Sequence, residues 1–211
     1  RPDQVTAWLT DARFDAYLGA SDGDHGRAVA VYNWNAEISA AFMEVLYHLE
    51  VLLRNAIDRQ FPEVPADRSL SICVADAWLC DPRLLTDESR ERVNEAIQRL
   101  VLEQKKPTRG RVVASLSFGF WRALFSGRYE ELGAHASTVP SQWEGRRAQV
   151  NRLATPILRF RNRIAHHEAI FSLDLDKQFG RQLELAQLID EDARHYIQGL
   201  SRIDRLLQQK P

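Results

Sequence analysis

The feature that most constrains this fold is a long run between Arg27 and Gln60 in which apolar side chains recur every three or four positions. This spacing places those side chains on one face of an α-helix. We therefore predict one long helix over 27–60, ended by Pro62 and Pro65. Its buried stripe consists of Trp34, Ile38, Ala41, Phe42, Val45, Leu49, Leu53 and Ile57.

Helical periodicity continues through most of the remaining sequence. In "LLTDESRERVNEAIQRLVLEQKK", Thr86 is a candidate N-cap, acids fill the first turn and lysines lie at the end, as the helix dipole favours. Pro107 ends this helix. The segment "GRVVASLSFGFWRALF" (110–125) predicts a further helix, mostly apolar and central.

The sequence pattern of the C-terminal third also predicts helices. "SQWE" (141–144) has the pattern of a capping box and predicts the start of a helix that carries Arg146 and Arg147. Thr155-Pro156 either kinks that helix or restarts it. From about Lys177 the pattern predicts two amphipathic segments, with the boundary between them near Asp190.

Only "SLSICVADAW", around residue 72, has a pattern compatible with extended structure. The segments 19–26 and 62–69 have the composition of turns rather than of linkers between domains. We expect residues 1–211 to form a single all-α domain.

Composition is that of an ordinary globular chain, with 45% hydrophobic and 27% charged residues. No window approaches the roughly 18 consecutive apolar residues of a membrane span, and "RPDQVTAWLT" lacks the layout of a secretory signal. The two cysteines, Cys73 and Cys80, match no common zinc spacing. Few thiols and no signal favour a reducing cytoplasm over a disulfide between them.

The net charge of −1 conceals a strong asymmetry. Residues 104–163 contain twelve Lys and Arg but only three Glu, a balance of +9, and the rest of the chain carries −10. A basic surface of this kind is typical of a polyanion-binding protein. The alternative is that acidic and basic helices pair across the fold.

The most distinctive short stretch is "ILRFRNRIAHHEAIF" (157–171). His166 and His167 are adjacent and diverge by about 100° on a helix, so they do not share one metal ion in the usual way. No HExxH, GxSxG or phosphate-binding glycine loop is present. We expect neither a metal site nor a cofactor.

An imidazole and a guanidinium in a basic region suit metal-free cleavage of RNA. The imidazole can move a proton to or from the 2′-hydroxyl or the leaving oxygen. The guanidinium can hold the scissile phosphate bidentately. The alternative is a solvated basic helix face with a histidine at its end.

"RNRIAH" followed by "HE" resembles the R-x4-6-H signature of the HEPN superfamily. "YNWNAEISAAFMEVLYHLEVLLRNAI" (32–57) and "SLSFGFWRALF" (115–125) are similar to segments of its Abi-like, abortive-infection branch, so the resemblance spans about residues 28–170. It implies a HEPN-type helical bundle with flanking helices that acts as a metal-independent ribonuclease. It also implies a homodimer with a composite active site, and a toxin or antiphage effector, in some cases held by an antitoxin protein.

Carried over by position, the resemblance makes Arg161 the phosphate-binding arginine, Asn162 the polar residue that follows it and His166 the catalytic histidine. Glu50 and Arg54 match polar residues of the branch's long helix and either support the site or form an i, i+4 surface ion pair. Two other registers remain open, Arg159 with His166 and Arg161 with His167.

Five residues on a straight helix rotate by about 140°, so Arg161 and His166 do not share a face. A bent arginine side chain, a loosened helix end or a second copy of the chain would bring them together. His167 lies closer to Arg163 on the helix and is a possible supporting residue. The RNA groove is expected to be lined by Arg146, Arg147, Arg152, Arg159 and Arg163. The alternative function is a non-catalytic HEPN-type module that binds RNA or a protein.

Overall fold

The computed structural model describes residues 8–61, 77–131, 143 and 145–211, and every regular element within them is helical. The all-α class expected from the sequence is confirmed for these residues. A 3₁₀ turn, Ala77–Cys80, precedes the third helix. In chain order the α-helices are α1 (Asp11–Gly19), α2 (His25–Asp58), α3 (Asp87–Leu102), α4 (Arg109–Ser115), α5 (Phe118–Ala123), α6 (Arg128–Glu131), α7 (Arg147–Ala165), α8 (Leu175–Ile189), α9 (Glu191–Leu200) and α10 (Ile203–Gln208).

The longest helix, α2, is central to the bundle. Asp24 caps its N-terminus by accepting a hydrogen bond from the backbone N–H of Arg27 at 3.0 Å. The whole apolar stripe predicted from the sequence is buried, and α2 contacts α1, α5, α7, α8, α9 and α10. The predicted helix at 27–60 is confirmed within two residues at each end. Pro62, Pro65 and the predicted turn at 62–69 lie outside the described residues.

The predicted helix 110–125 is wrong in one respect, because it is two helices. Leu116 and Ser117 are both extended, with ψ angles of 137° and 163°, and they separate α4 from α5. The break lets Leu116 stay buried while α5 directs Phe118, Phe120 and Trp121 into the core. It also places the first backbone N–H of α5 beside α2, where it contributes to the site described below.

Helix α7 carries the Arg-rich motif and runs without interruption through Pro156. Pro156 therefore does not restart the helix, which was one of the two alternatives. Arg146 occupies the N-cap position, so α7 begins after the predicted capping box at 141–144. Of that box only Trp143 is described, and its indole N–H donates to the Leu188 carbonyl at 2.7 Å.

The C-terminal part divides at Asp190, as predicted. Its carboxylate accepts a hydrogen bond from the backbone N–H of Asp192 at 2.9 Å and caps α9. A further break at Ser201 and Arg202 makes three helices where two were predicted. The last of them, α10, is tied to α2 because the Trp34 indole N–H donates to the Leu206 carbonyl at 2.7 Å.

Cys80, at the end of the 3₁₀ turn, is disulfide-bonded. The only other cysteine of the chain is Cys73, which lies outside the described residues along with the extended segment predicted near residue 72. The sequence-based preference for free thiols is therefore wrong at Cys80. Cysteine usage no longer supports a reducing compartment.

Candidate functional site

The three sequence blocks that carry the HEPN resemblance meet at Glu50. This side chain lies on α2, one helical turn before Arg54. It interacts by charge with Arg161 of α7 and with Arg54, and the backbone N–H of Phe118 at the start of α5 stabilises its charged form. We call Glu50, Arg54 and Arg161 the Glu50 cluster. The contact between α2 and α7 thus brings together residues more than 100 positions apart in the sequence.

Burial sets the electrostatics of this cluster. It raises the pKa of Glu50 above its ordinary value of 4.5, because the charged form loses solvent. The positive charges of Arg161 and Arg54 and the N–H of Phe118 act in the opposite direction, in that order. Glu50 is therefore a half-buried carboxyl whose negative charge depends on two neighbouring guanidinium groups.

The two arginines of the cluster keep free donors. Within the described part of the chain, Arg161 makes no side-chain hydrogen bond or ion pair and is half-buried. One Nη of Arg54 reaches the Ala114 carbonyl at a long 3.5 Å, and its Nε is buried with no partner. Glu50 and Arg54 do not form the simple surface ion pair that was the alternative. An anion bound here could therefore accept hydrogen bonds from two guanidinium groups.

His166 and His167 lie where α7 ends. The N–H of Glu168 donates to the Arg163 carbonyl at 3.0 Å and that of His167 donates to the Ile164 carbonyl at 2.9 Å, which together form a Schellman motif. His167 holds the left-handed position of this motif, with φ of 57°. Arg13 of α1 donates to the His167 carbonyl and ties the turn to the bundle.

The side chains of the motif divide between two surfaces. His166 lines a cleft of about 480 Å³ together with Asn162, Arg159 and Arg163. Arg161 instead faces Glu50 on α2. This is the separation expected from the rotation of about 140° along a helix.

His167 lies on the α2 side of the turn. It lines a cleft of about 390 Å³ with Ser39 and Met43 of α2. The structure is therefore compatible with both of the other Arg–His pairings. Arg159 and His166 line the same cleft. Arg161 and His167 both face α2. The preferred pair, Arg161 and His166, stays a prediction.

Two of the arginines assigned to the RNA groove already have partners within the chain. A terminal guanidinium nitrogen of Arg147 donates to the carbonyls of Leu124 and Ser126, each at 3.0 Å. Arg163 donates from Nε to the Ala169 carbonyl at 3.0 Å and pairs with Glu168 at 3.5 Å. The three arginines of the groove that remain exposed are Arg146, Arg152 and Arg159.

Asn35 is a residue that sequence reasoning missed. Its side-chain oxygen accepts hydrogen bonds from the backbone N–H groups of Ile170 and Phe171, at 2.8 and 3.0 Å. These bonds fix the segment that follows His166 and His167 against α2. The signal was present in the sequence, since Asn35 is a polar residue beside the long apolar stripe of its helix.

The described residues give no sign of a metal centre or a membrane helix. No three His, Cys, Asp or Glu side chains among them lie close enough together to hold a metal ion. Nor does any helix in this part of the chain combine the length and the apolar character needed to cross a bilayer.

Comparison with protein-family models, curated proteins and solved structures finds no match for this chain. The HEPN resemblance therefore stays an expectation from the sequence.

Proposed function

We propose that the protein is a metal-independent endoribonuclease of the Abi-like HEPN type. The observation that supports this most is the Glu50 cluster. The long-helix block, the block beginning at 115 and the Arg–His block are distant in sequence, and the fold brings residues of all three to one point. A chance R-x4-H spacing on a solvated helix would not require a half-buried carboxyl and a second arginine beside its arginine.

In this mechanism Arg161 binds the scissile phosphate and stabilises the charge that develops on it. The negative charge of Glu50 attracts the Arg161 guanidinium, and Arg54 adds a second positive group. The exposed imidazole of His166 acts as general acid or base at the 2′-hydroxyl or the leaving oxygen. Attack by the 2′-hydroxyl leaves a 2′,3′-cyclic phosphate and needs no metal ion.

A homodimer supplies the geometry that one chain lacks. Since Arg161 and His166 face different surfaces of α7, the Arg161 of one protomer and the His166 of its partner would complete a composite site. Asn162 lines the His166 cleft and can help to orient the substrate there. The exposed Arg146, Arg152 and Arg159 would then guide the RNA backbone along α7, with affinity that falls as salt rises.

In the cell we propose a toxin-type or abortive-infection effector against phage, restrained by an antitoxin protein and acting on cytoplasmic RNA. Inducible expression tests this directly. We expect wild type to arrest growth and fragment total RNA, and His166→Ala to do neither. His195→Ala, which removes another exposed histidine, is the matched control and should behave as wild type. Fragmentation that persists in His166→Ala would contradict the assignment.

One observation favours a different function. The separation of Arg161 from His166 within one chain also fits a non-catalytic module that binds RNA or a protein through its basic helix. Such a module would bind RNA in a salt-dependent way but leave it intact at every protein concentration, and its expression would not arrest growth.

A further inference from the structure

A second polar cavity lies away from the Glu50 cluster, between the start of α3, the end of α5 and the residues around α6. Its volume is about 350 Å³, within the range of small-molecule sites. It is lined by Thr86, Ser89 and Ser126 and by three arginines, Arg92, Arg122 and Arg128. We call it the Arg122 pocket.

The walls of this pocket are fixed by contacts between segments distant in sequence. Arg128 pairs with Glu88 at 2.7 Å, and the Tyr129 hydroxyl donates to the Ser89 hydroxyl at 2.6 Å in a buried contact. Thr86 accepts the backbone N–H of Ser89 and caps α3. The cavity is therefore held between two helices rather than formed by a chance arrangement of loose surface side chains.

The charges in the pocket do not balance. Glu88 is the only acid among the described residues of the lining, and it is shared by Arg92 and Arg128, each at 2.7 Å. Arg122 has no ion pair or hydrogen bond within the described part of the chain, and its Nε is buried without a partner. The described residues of the lining therefore carry a formal charge of +2. Arg122 therefore lines the pocket with a charge that no described acid pairs and with terminal donors that no described acceptor uses.

We propose that the Arg122 pocket binds a phosphate group. Guanidinium forks match the several acceptor oxygens of a phosphate, and a dianion neutralises the excess of two positive charges among the described lining residues. The phosphate belongs either to a phosphorylated small molecule or to an RNA backbone. None of the residues that line this pocket belongs to the Glu50 cluster or the motif of α7, so the inference does not depend on ribonuclease activity.

Isothermal titration of the full chain with inorganic pyrophosphate at low ionic strength tests the proposal. We expect Arg122→Gln to weaken binding about tenfold to a hundredfold, since it removes charge-assisted hydrogen bonds. Arg99→Gln, an exposed arginine on α3 outside the pocket, is the matched control and should bind as wild type does. Equal weakening by both variants, or no binding to wild type, overturns the proposal.

A second variant is expected to strengthen pyrophosphate binding. Misfolding would not produce that result. Glu88→Gln, at a half-exposed position, removes the competing carboxylate and releases Arg92 and Arg128. We expect it to bind pyrophosphate several-fold more tightly than wild type. Unchanged or weaker binding would count against the pocket.

The source of the phosphate is decided by a parallel titration with a short oligoribonucleotide, carried out in the His166→Ala background. If Arg122→Gln weakens the binding of pyrophosphate alone, the ligand is a phosphorylated small molecule. If Arg122→Gln weakens the binding of the oligoribonucleotide as well, the ligand is the RNA backbone. If Arg122→Gln changes neither affinity, the Arg122 pocket is not a phosphate site.

Discussion

At the scale of single residues, Glu50 has the clearest consequence for pH. Because burial raises its pKa in the folded chain above the ordinary 4.5, the folded state holds the proton more tightly than the unfolded state does. Ionisation of Glu50 therefore costs stability. This cost is absent below pH 4.5 and grows as the pH rises through the folded-state pKa.

We expect Glu50→Gln to become more stable relative to wild type as the pH increases across that window. The amide keeps an acceptor for the Phe118 N–H but carries no charge to bury. Urea unfolding at a series of pH values measures the difference, with the exposed Glu91→Gln as the control that should show no such trend. A stability advantage that shrinks with rising pH would show that burial does not dominate at Glu50.

Asn35 gives a second prediction at this scale. Asn35→Ala leaves the N–H groups of Ile170 and Phe171 buried without an acceptor, which should cost about 2–4 kcal/mol. Asn33→Ala, an exposed position on the same helix, should stay within about 0.5 kcal/mol of wild type. Chemical unfolding of both variants checks this, and equal costs would mean that Asn35 does not anchor the turn.

The sequence allowed some residues of the site to be predicted and not others. Arg161, Glu50 and Arg54 could be selected because motif spacing and helical register are local properties. The partners of Arg147 could not, because they are backbone carbonyls more than 20 positions away and carry no side-chain signal. A long arginine reaches whichever carbonyl the tertiary fold leaves unpaired.

At the scale of elements, the turn that ends α7 is built around a left-handed residue. His167 occupies the position that glycine normally holds in a Schellman motif. His167→Gly should therefore raise the free energy of unfolding by about 1 kcal/mol.

Thermal or urea unfolding measures this effect. His195→Gly, in the middle of α9, is the matched control and should lose about 0.5 kcal/mol, because glycine is unfavourable at a helical position. A destabilised His167→Gly would mean that the imidazole makes a contact that outweighs the strain of the backbone.

The boundaries of the elements show how far periodicity alone reaches. The ends of α2 were predictable because its apolar stripe is long and is followed in the sequence by Pro62 and Pro65. The break between α4 and α5 was not, because the apolar pattern continues through Leu116 and neither glycine nor proline lies at the break. Burial of Phe118, Phe120 and Trp121 decides that geometry, and burial depends on the whole bundle.

At the scale of the whole molecule, the charge asymmetry has two explanations that both apply. Part of the basic segment pairs with acids of other helices: Arg109 bonds Asp58 at 2.9 Å, and Arg128 bonds Glu88 at 2.7 Å. Other members, among them Arg152, Arg159 and Arg161, have no ion pair within the described residues. The sequence predicted the excess of charge but could not divide it between these two uses.

If Arg161 and His166 of the active site come from different protomers, as proposed, a mixture of two inactive variants should regain activity. Arg161→Ala and His166→Ala should each be inactive as homodimers. Once subunits have exchanged, half of the dimers in an equal mixture carry one intact site, so about a quarter of wild-type RNA cleavage should return. The rate of RNA cleavage by the mixture measures this. No recovery, despite demonstrated subunit exchange, would mean that one chain supplies both residues or that neither is catalytic.

The central claim is that Arg161 and His166 cleave RNA without a metal ion. The most direct measurement is cleavage of purified RNA in excess chelator, with analysis of the product ends. We predict that wild type and His195→Ala release fragments ending in a 2′,3′-cyclic phosphate. The rate for Arg161→Ala or His166→Ala should fall by about 10²–10⁴-fold. Full activity of either variant, or cleavage by wild type only when a divalent metal is added, would contradict the account.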